Sequence, residues 1–216
     1  MEPNAMTITN GYTTLNDFKA YLFPSANYGT AEDAQMEAAI EAASRTIDTF
    51  CNRRFYLDAS TSARSYYADT AIRCTVDDFS TTTGLIIATD TGDNGTYDQT
   101  WTTTEYILEP YNGVVGGVSG QPYNVIIATQ PKLFPITGRR PRIQVTAKWG
   151  WAAVPDLIAQ ACLIQAARIY RRAQTPEGFA AGEAFGAIRV STRLDPDVQM
   201  MISPYRRQGG QGLVIG

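Results

Sequence analysis

Apolar residues recur at helical spacing in four parts of the chain and at strand-like spacing in the stretch between the second and third. Thr14 and Asp17 form a capping-box-like pair ahead of Leu15, Phe18 and Leu22, which predicts a short first helix ending near Phe23, before Pro24. Thr30 and Asp33 repeat that signature and open a longer segment, 31–52, with apolar residues at Met36, Ile40, Ala43, Ile47 and Phe50. The alternation of four and three is a seam meant for another helix. Its partner is the stretch 148–172, the element around which the chain is organised. Pro155 and Asp156 mark the start, and Leu157, Ile158, Ala161, Cys162, Ile164, Ala167 and Ile169 cover more than one stripe. A last helix starts at Asp195 as cap with Pro196 in the first position, and ends before Pro204.

From Phe55 the pattern becomes extended. Thirteen threonines fall between Thr61 and Thr104, and short β-branched and aromatic runs are bounded by Asp, Gly and Asn. Strands are expected near 64–68, 72–76, 85–89, 100–104, 106–108, 124–128 and 143–149, forming one small antiparallel sheet domain. Asp93-Asn94-Gly95 predicts a tight hairpin turn. Gly116, Gly117 and Gly120 lack the spacing and the strand-to-helix setting of a phosphate loop and read as loop residues. The stretch 173–187 is too rich in Ala and Gly to hold one conformation alone, and 188–191 alternates like a strand.

The fold class is therefore α+β: a bundle of three to four helices (13–55 and 149–203) with a large antiparallel β domain inserted at 56–148. A flexible N-terminus, 1–12, precedes it, and an extended C-terminal arm, 204–216, follows.

Charge adds a direction to this picture. The formal net charge is −3, yet residues 1–167 hold 11 basic against 17 acidic side chains and residues 168–216 hold 7 against 4. Fifteen of the 18 basic residues are arginines, the cation preferred at interfaces. Arg168, Arg171, Arg172, Arg189 and Arg193 are accordingly the expected subunit or bundle interface residues. Residues 55–138 carry 3 basic and 9 acidic side chains, a surface that repels DNA. In the arm, three glycines separate Tyr205, Arg206 and Arg207 from an apolar tip, Leu213, Val214 and Ile215. The tip is expected to dock elsewhere, with the Tyr-Arg-Arg cluster as its root.

Candidate chemistry is sparse. The chain has no histidine, so the commonest general base and metal ligand is missing. Cys51, Cys74 and Cys162 are scattered and odd in number, which reads as buried thiols. Asp90, Asp93, Asn94 and Asp98 lack the spacing of a calcium loop. No metal, cofactor or catalytic residue is assigned. No apolar run is long enough for a bilayer and the first residues lack the pattern of an export signal, so the expected origin is the cytoplasm. Two other functions remain open: a carbohydrate-binding or adhesin module using Trp101, Trp149, Trp151 and the tyrosines, and a carboxylate-based hydrolase. For the hydrolase, Asp77 and Asp78 are adjacent in a strand end and would face opposite ways.

The segments LNDFKAYL, AAIEAASRTIDTFCNRRF leading into the β-rich insert, WGWAAVPDLIAQACLIQAARIYRR and TPEGFAAGEAFGAIRVSTRLDPDVQMMISPYRR, in that order, resemble the head-to-tail connector (adaptor, head completion) proteins of long-tailed bacteriophages. The resemblance implies a non-enzymatic virion protein at the head-tail interface, made in the bacterial host cytoplasm and assembling as a ring, typically of twelve copies. It further implies as partners the portal protein and a downstream neck, stopper or tail-terminator protein. Genome DNA would pass through the ring without sequence-specific binding.

Overall fold

The first helix, α1 (Leu15–Leu22), starts where the sequence places it: Thr14 accepts the Asp17 amide, and the Thr14 hydroxyl donates to the Asp17 carboxylate at 2.7 Å. These contacts come from a computed structural model, which describes residues 8–24, 29–174, 179–182, 186–189 and 194–207. The chain divides into two compact units. One comprises the residues up to Phe55 together with Val154–Arg206; the other comprises Tyr56–Ala153 with Arg207.

In the first unit, α2 (Asp33–Cys51) packs on α3 (Asp156–Ala173). Small side chains line the contact, with Ala39, Ala43 and Ser44 on α2 and Ala161, Cys162 and Ala166 on α3 all buried. Ser44 donates to the Ile40 carbonyl at 2.8 Å and accepts the Tyr12 amide at 3.1 Å. The Cys162 thiol lies 3.4 Å from the same hydroxyl and donates to the Ile40 carbonyl at 3.9 Å. α4 (Pro196–Ile202) closes the bundle by burying Val198 and Ile202, and Asp195 caps it by accepting the Asp197 amide at 2.9 Å.

Several expectations need correction here. α2 begins at Asp33, and Thr30 gives it no side-chain cap; the Asp33 amide instead donates to the Thr30 carbonyl, forming a turn before the helix. Phe50 is half-buried and Cys51 takes its place in the core. On α3, Leu157 is 48% exposed while Gln165 and Tyr170, outside the expected apolar set, are buried. Pro155 stands before the helix as its N-cap. The N-terminal stretch 1–12 is not free over its last residues: the Thr9 and Asn10 amides donate to Glu41, and the Arg45 guanidinium donates to the Asn10 carbonyl at 2.9 Å. Tyr12 is buried, with its hydroxyl bonded to Asp48 and accepting the Phe55 amide at 2.9 Å. Residues 1–7 lie outside the described residues. Where 173–187 is read as a loop, β8 (Phe179–Gly182) pairs antiparallel with β9 (Gly186–Arg189), from Phe179↔Arg189 to Gly182↔Gly186, and the last two residues of β9 fall in the stretch 188–191 expected to be a strand.

The second unit holds two antiparallel sheets. β1 (Ser62–Tyr66), β7 (Ile143–Ala147), β3 (Ile86–Thr89) and β4 (Gln99–Thr100) form the first, in that order; β2 (Arg73–Phe79), β6 (Tyr123–Ala128) and β5 (Tyr106–Glu109) form the second. Every second residue of β7, Ile143, Val145 and Ala147, joins one hydrophobic cluster with Ile87 of the same sheet and Cys74, Val76, Phe79 and Ile126 of the other. Lys148–Trp151 belongs to this unit and not to the central helix: Trp149 bridges Phe79, and Gly150 bridges Leu57.

β4 stops at Thr100 because the Glu105 carboxylate accepts the Thr102 amide at 2.6 Å and its hydroxyl at 3.0 Å, turning the chain early. The loop around Asp93-Asn94-Gly95 is longer than a tight hairpin, since pairing ends at Thr89↔Gln99. Asp90 organises it by accepting the amides of Gly92, Asn94 and Gly95. Burial pushes the Asp90 carboxyl up, but those amides, Gly95 foremost, hold it below the ordinary carboxylate value. Arg142, almost fully buried, donates to three backbone carbonyls, Asp90, Thr91 and Thr137, at 2.8–2.9 Å.

Candidate functional site

The helical bundle ends in a one-turn 3-10 helix, Ser203–Tyr205, because Pro204 cannot continue α4. From there the root of the C-terminal arm is fixed residue by residue. The Tyr205 ring meets Phe55 edge-on at 5.7 Å, and its carbonyl accepts from Arg53 at 3.2 Å. Arg206 is exposed, with its guanidinium 5.5 Å from the centre of the Phe50 ring. Arg207 donates to the Val76 carbonyl on β2 and lies 3.7 Å from Asp77 and 3.8 Å from Asp78. Leu213, Val214 and Ile215 lie outside the described residues.

Within the second unit Arg207 joins a charge network. Arg64 reaches Asp77 at 2.7 Å and Asp58 at 3.3 Å, and its guanidinium sits 4.5 Å from the centre of the Trp149 ring. Tyr66 donates to Asp77 at 2.9 Å, while the Trp151 indole donates to the buried Asp78 at 3.2 Å. Burial, then the Asp77 charge, pushes the Tyr66 phenol well above its ordinary value. Both carboxylates are thus engaged by cations, a phenol and an indole, as structural acids are. Among the described residues, no three Cys, Asp or Glu side chains gather as a metal cage, and no helix is long and apolar enough to cross a membrane.

The tryptophans do not form a sugar platform, which needs exposed ring faces. Trp101, Trp149 and Trp151 are 5%, 2% and 3% exposed. Trp101 stacks on Phe134 at 4.5 Å and donates to Thr89 at 3.1 Å. Of the interface arginines, Arg168 bonds Asp195, the α4 cap, whose amide donates to Gln165 at 3.3 Å. Arg171 is exposed and Arg172 half-buried. The Arg189 side chain and Arg193 lie outside the described residues.

Two features escaped the sequence reading. The Arg64–Asp77–Arg207 network has a faint signal in the alternation of Arg64 and Tyr66 opposite an Asp pair. A hairpin built on Val115-Gly116-Gly117-Val118 has a clear one, since two consecutive glycines at positive φ suit a two-residue turn.

The three thiols, Cys51, Cys74 and Cys162, are free and fully buried, and burial pushes them up to about 12, 12 and 11. Burial likewise raises Tyr170, next to Glu32, to about 12. The unfolded chain releases these protons at ordinary thiol and phenol values while the fold retains them. Stability is therefore complete below about pH 9 and falls as pH rises through 9 to 12. Denaturant unfolding at pH 7, 9 and 11 checks this, together with the rate at which Ellman's reagent titrates the native thiols. A flat profile to pH 11, or rapid native reaction at pH 8, contradicts it.

No protein-family model and no curated protein matches this chain. Solved structures do. The chain is similar to one in the neck of an empty gene transfer agent (GTA) particle computed with C6 symmetry, with TM-score 0.54 and 16% identity over 95% of this chain and 94% of that one. It is also similar to one in the neck of a native GTA particle computed with C12 symmetry, and to one in the virion of a native GTA particle, each with TM-score 0.53 and 18% identity over 97% of both chains. At these identities the likeness is one of fold, and it takes in both the bundle and the β insert.

Proposed function

We propose that this chain is a structural protein of a phage-like virion, a head-to-tail connector that forms a ring between the portal and the downstream neck or tail proteins. The observation that carries the reading is the shared fold over almost the whole of both chains with neck components of gene transfer agent particles. The C12 and C6 symmetries of those particles support a homo-oligomeric ring, with twelve copies as the proposed number. The order of sequence segments that resembles phage connectors points the same way. In this reading the protein is made in the host cytoplasm and ends in the virion, and it performs no catalysis.

The ring encloses a channel for DNA, and the acidic insert lies around or below it, away from the duplex, since like charge repels the phosphates. The bundle arginines contribute to subunit contacts, and the arm, 204–216, reaches the portal. Such polar, arginine-rich contacts favour assembly on a template over a stable free ring. The purified protein is expected to be monomeric at micromolar concentration and to form a ring when mixed with the portal ring of the same virus. Electron microscopy of the mixture tests this. A portal ring that stays bare at saturating protein would sink the connector reading, and a stable ring without portal would overturn the templated assembly.

A further inference from the structure

The β unit carries two exposed apolar patches at opposite ends of the sheet that contains β6. At the end where β6 begins, a short hairpin projects. Val115 and Val118 exchange backbone hydrogen bonds at 3.0 and 2.9 Å around Gly116 and Gly117, whose φ values are +58 and +82. Its base is tied by the Gln121 amide on the Gly113 carbonyl at 2.9 Å. At Gly113, φ is +64, and a Cβ there would stand 3.0 Å from the Gln121 carbonyl oxygen. The hairpin is therefore built by its glycines to hold valines outward: Tyr111 is 69%, Val114 41%, Val115 53% and Val118 61% exposed.

The second patch lies where β6 ends. The Ala128 amide donates to the Ile72 carbonyl at 2.8 Å, and the Phe134 amide donates to the Ala71 carbonyl at 2.7 Å, so the segments before β2 and after β6 run side by side. Tyr67 extends the patch by donating to the Arg139 carbonyl at 3.1 Å. Tyr67 is 50%, Ile72 51%, Leu133 49% and Ile136 63% exposed. A six-residue strand separates the two patches by roughly 20 Å.

Two unlike apolar patches on opposite ends of one rigid sheet are what a heterologous, head-to-tail contact requires; an isologous pair would need only one. At these exposures each patch presents on the order of 400 Å² of apolar surface, the size of the largest such patches on monomeric proteins. Joined, they bury roughly 800 Å² in total, below the roughly 1,200 Å² at which stable specific interfaces begin. A contact of that size does not hold two free copies together, and it suffices once a template brings neighbours into register.

We propose that the Tyr111–Val118 hairpin of one copy packs on the Tyr67, Ile72, Leu133 and Ile136 patch of the next copy, so that the β unit links copies head to tail. The occupant of each patch is a second copy of this chain. The inference rests on the connector reading for the template that brings copies into register and for the closure of the ring.

The test is oxidative cross-linking of the full chain at millimolar concentration, where weak contacts are populated. The native cysteines are fully buried and stay silent. The double variant Val115→Cys/Ile136→Cys is expected to give a ladder of disulfide-linked multimers. Mixed single variants Val115→Cys and Ile136→Cys give dimers, and adding Val118→Asp to the Val115→Cys partner lowers their yield at least tenfold. Self-linking of Val115→Cys as efficient as the mixed pair shows a tip-to-tip contact and overturns the proposal. So does a yield no higher than that of a Val115→Cys/Gln160→Cys control. A ring imaged on the portal without this cross-link removes the proposal and leaves the connector reading in place; a ladder from a protein that ignores the portal supports the proposal and removes that reading.

Discussion

Replacing Gly150 by alanine is expected to destabilise the β unit by at least about 3 kcal/mol, a large fraction of the roughly 5 to 15 kcal/mol that holds an ordinary domain folded. The residue sits at φ +108, where L side chains are strained. A Cβ there would lie 1.8 Å from the Tyr56 carbonyl oxygen and 2.8 Å from its carbon, both backbone atoms that no rotamer change can move aside. Relief requires breaking the Leu57↔Gly150 bridge, and with it the Gly150 amide bond to the Asp78 carbonyl at 2.6 Å. That bond holds the buried end of β2, beside the Trp151–Asp78 contact. All three tryptophans lie in this unit, so their fluorescence on heating or in denaturant reads it directly. Gly29→Ala, where a Cβ meets nothing within 4 Å, is the matched control and should change stability by less than about 1 kcal/mol. Equal melting of the Gly150 variant and the wild type would refute the argument.

The sequence shows the helices far better than it shows this glycine. Caps at Thr14 and Asp195 are local chemistry: a hydroxyl or carboxylate accepts an amide two or three residues on, and no distant partner is needed. The α2 seam is legible for the same reason, because periodicity is a property of neighbours. What fails is what distant residues decide. Thr30 has the capping signature, yet the turn before Asp33 uses its carbonyl and leaves the hydroxyl out of the cap. Gln165 falls outside the apolar set of α3, but its amide oxygen accepts the Asp195 amide and the side chain is buried. In the insert the alternation locates the strands, while the partition into two sheets depends on which strands pair, which alternation does not encode.

The candidate site divides in the same way. An apolar tip after three glycines is visible as composition, and so is the Tyr-Arg-Arg root. That Arg207 would be spent on the Val76 carbonyl and the Asp77-Asp78 pair was not visible, because β2 and the arm are 130 residues apart in sequence. The finding changes how the arm should be tested. A cut before Arg207 would disturb the β unit as well as the arm, and loss of binding would then have two explanations.

Deleting residues 208–216, with Arg207 kept, is therefore expected to abolish portal binding while thermal melting stays within about 1 °C of wild type, since none of the described contacts is lost. The arm's residues suit strand addition: Gly209, Gly210 and Gly212 give the backbone reach, and Leu213, Val214 and Ile215 favour an extended conformation. Nine residues span at most about 30 Å when extended, so the docking edge on the portal must lie within that distance of Arg207. Ordering them costs roughly 1 to 2 kcal/mol each in backbone entropy, which ladder hydrogen bonds and three buried apolar side chains must more than offset. Substituting Val214 by aspartate should then weaken binding by at least tenfold, because a charge replaces a side chain that is to be buried. Sedimentation or surface binding of the two variants to portal rings reads both effects. Normal affinity of the truncated protein would show that the arm is not the portal-binding element, and the ring would have to be held on the portal by the bundle itself.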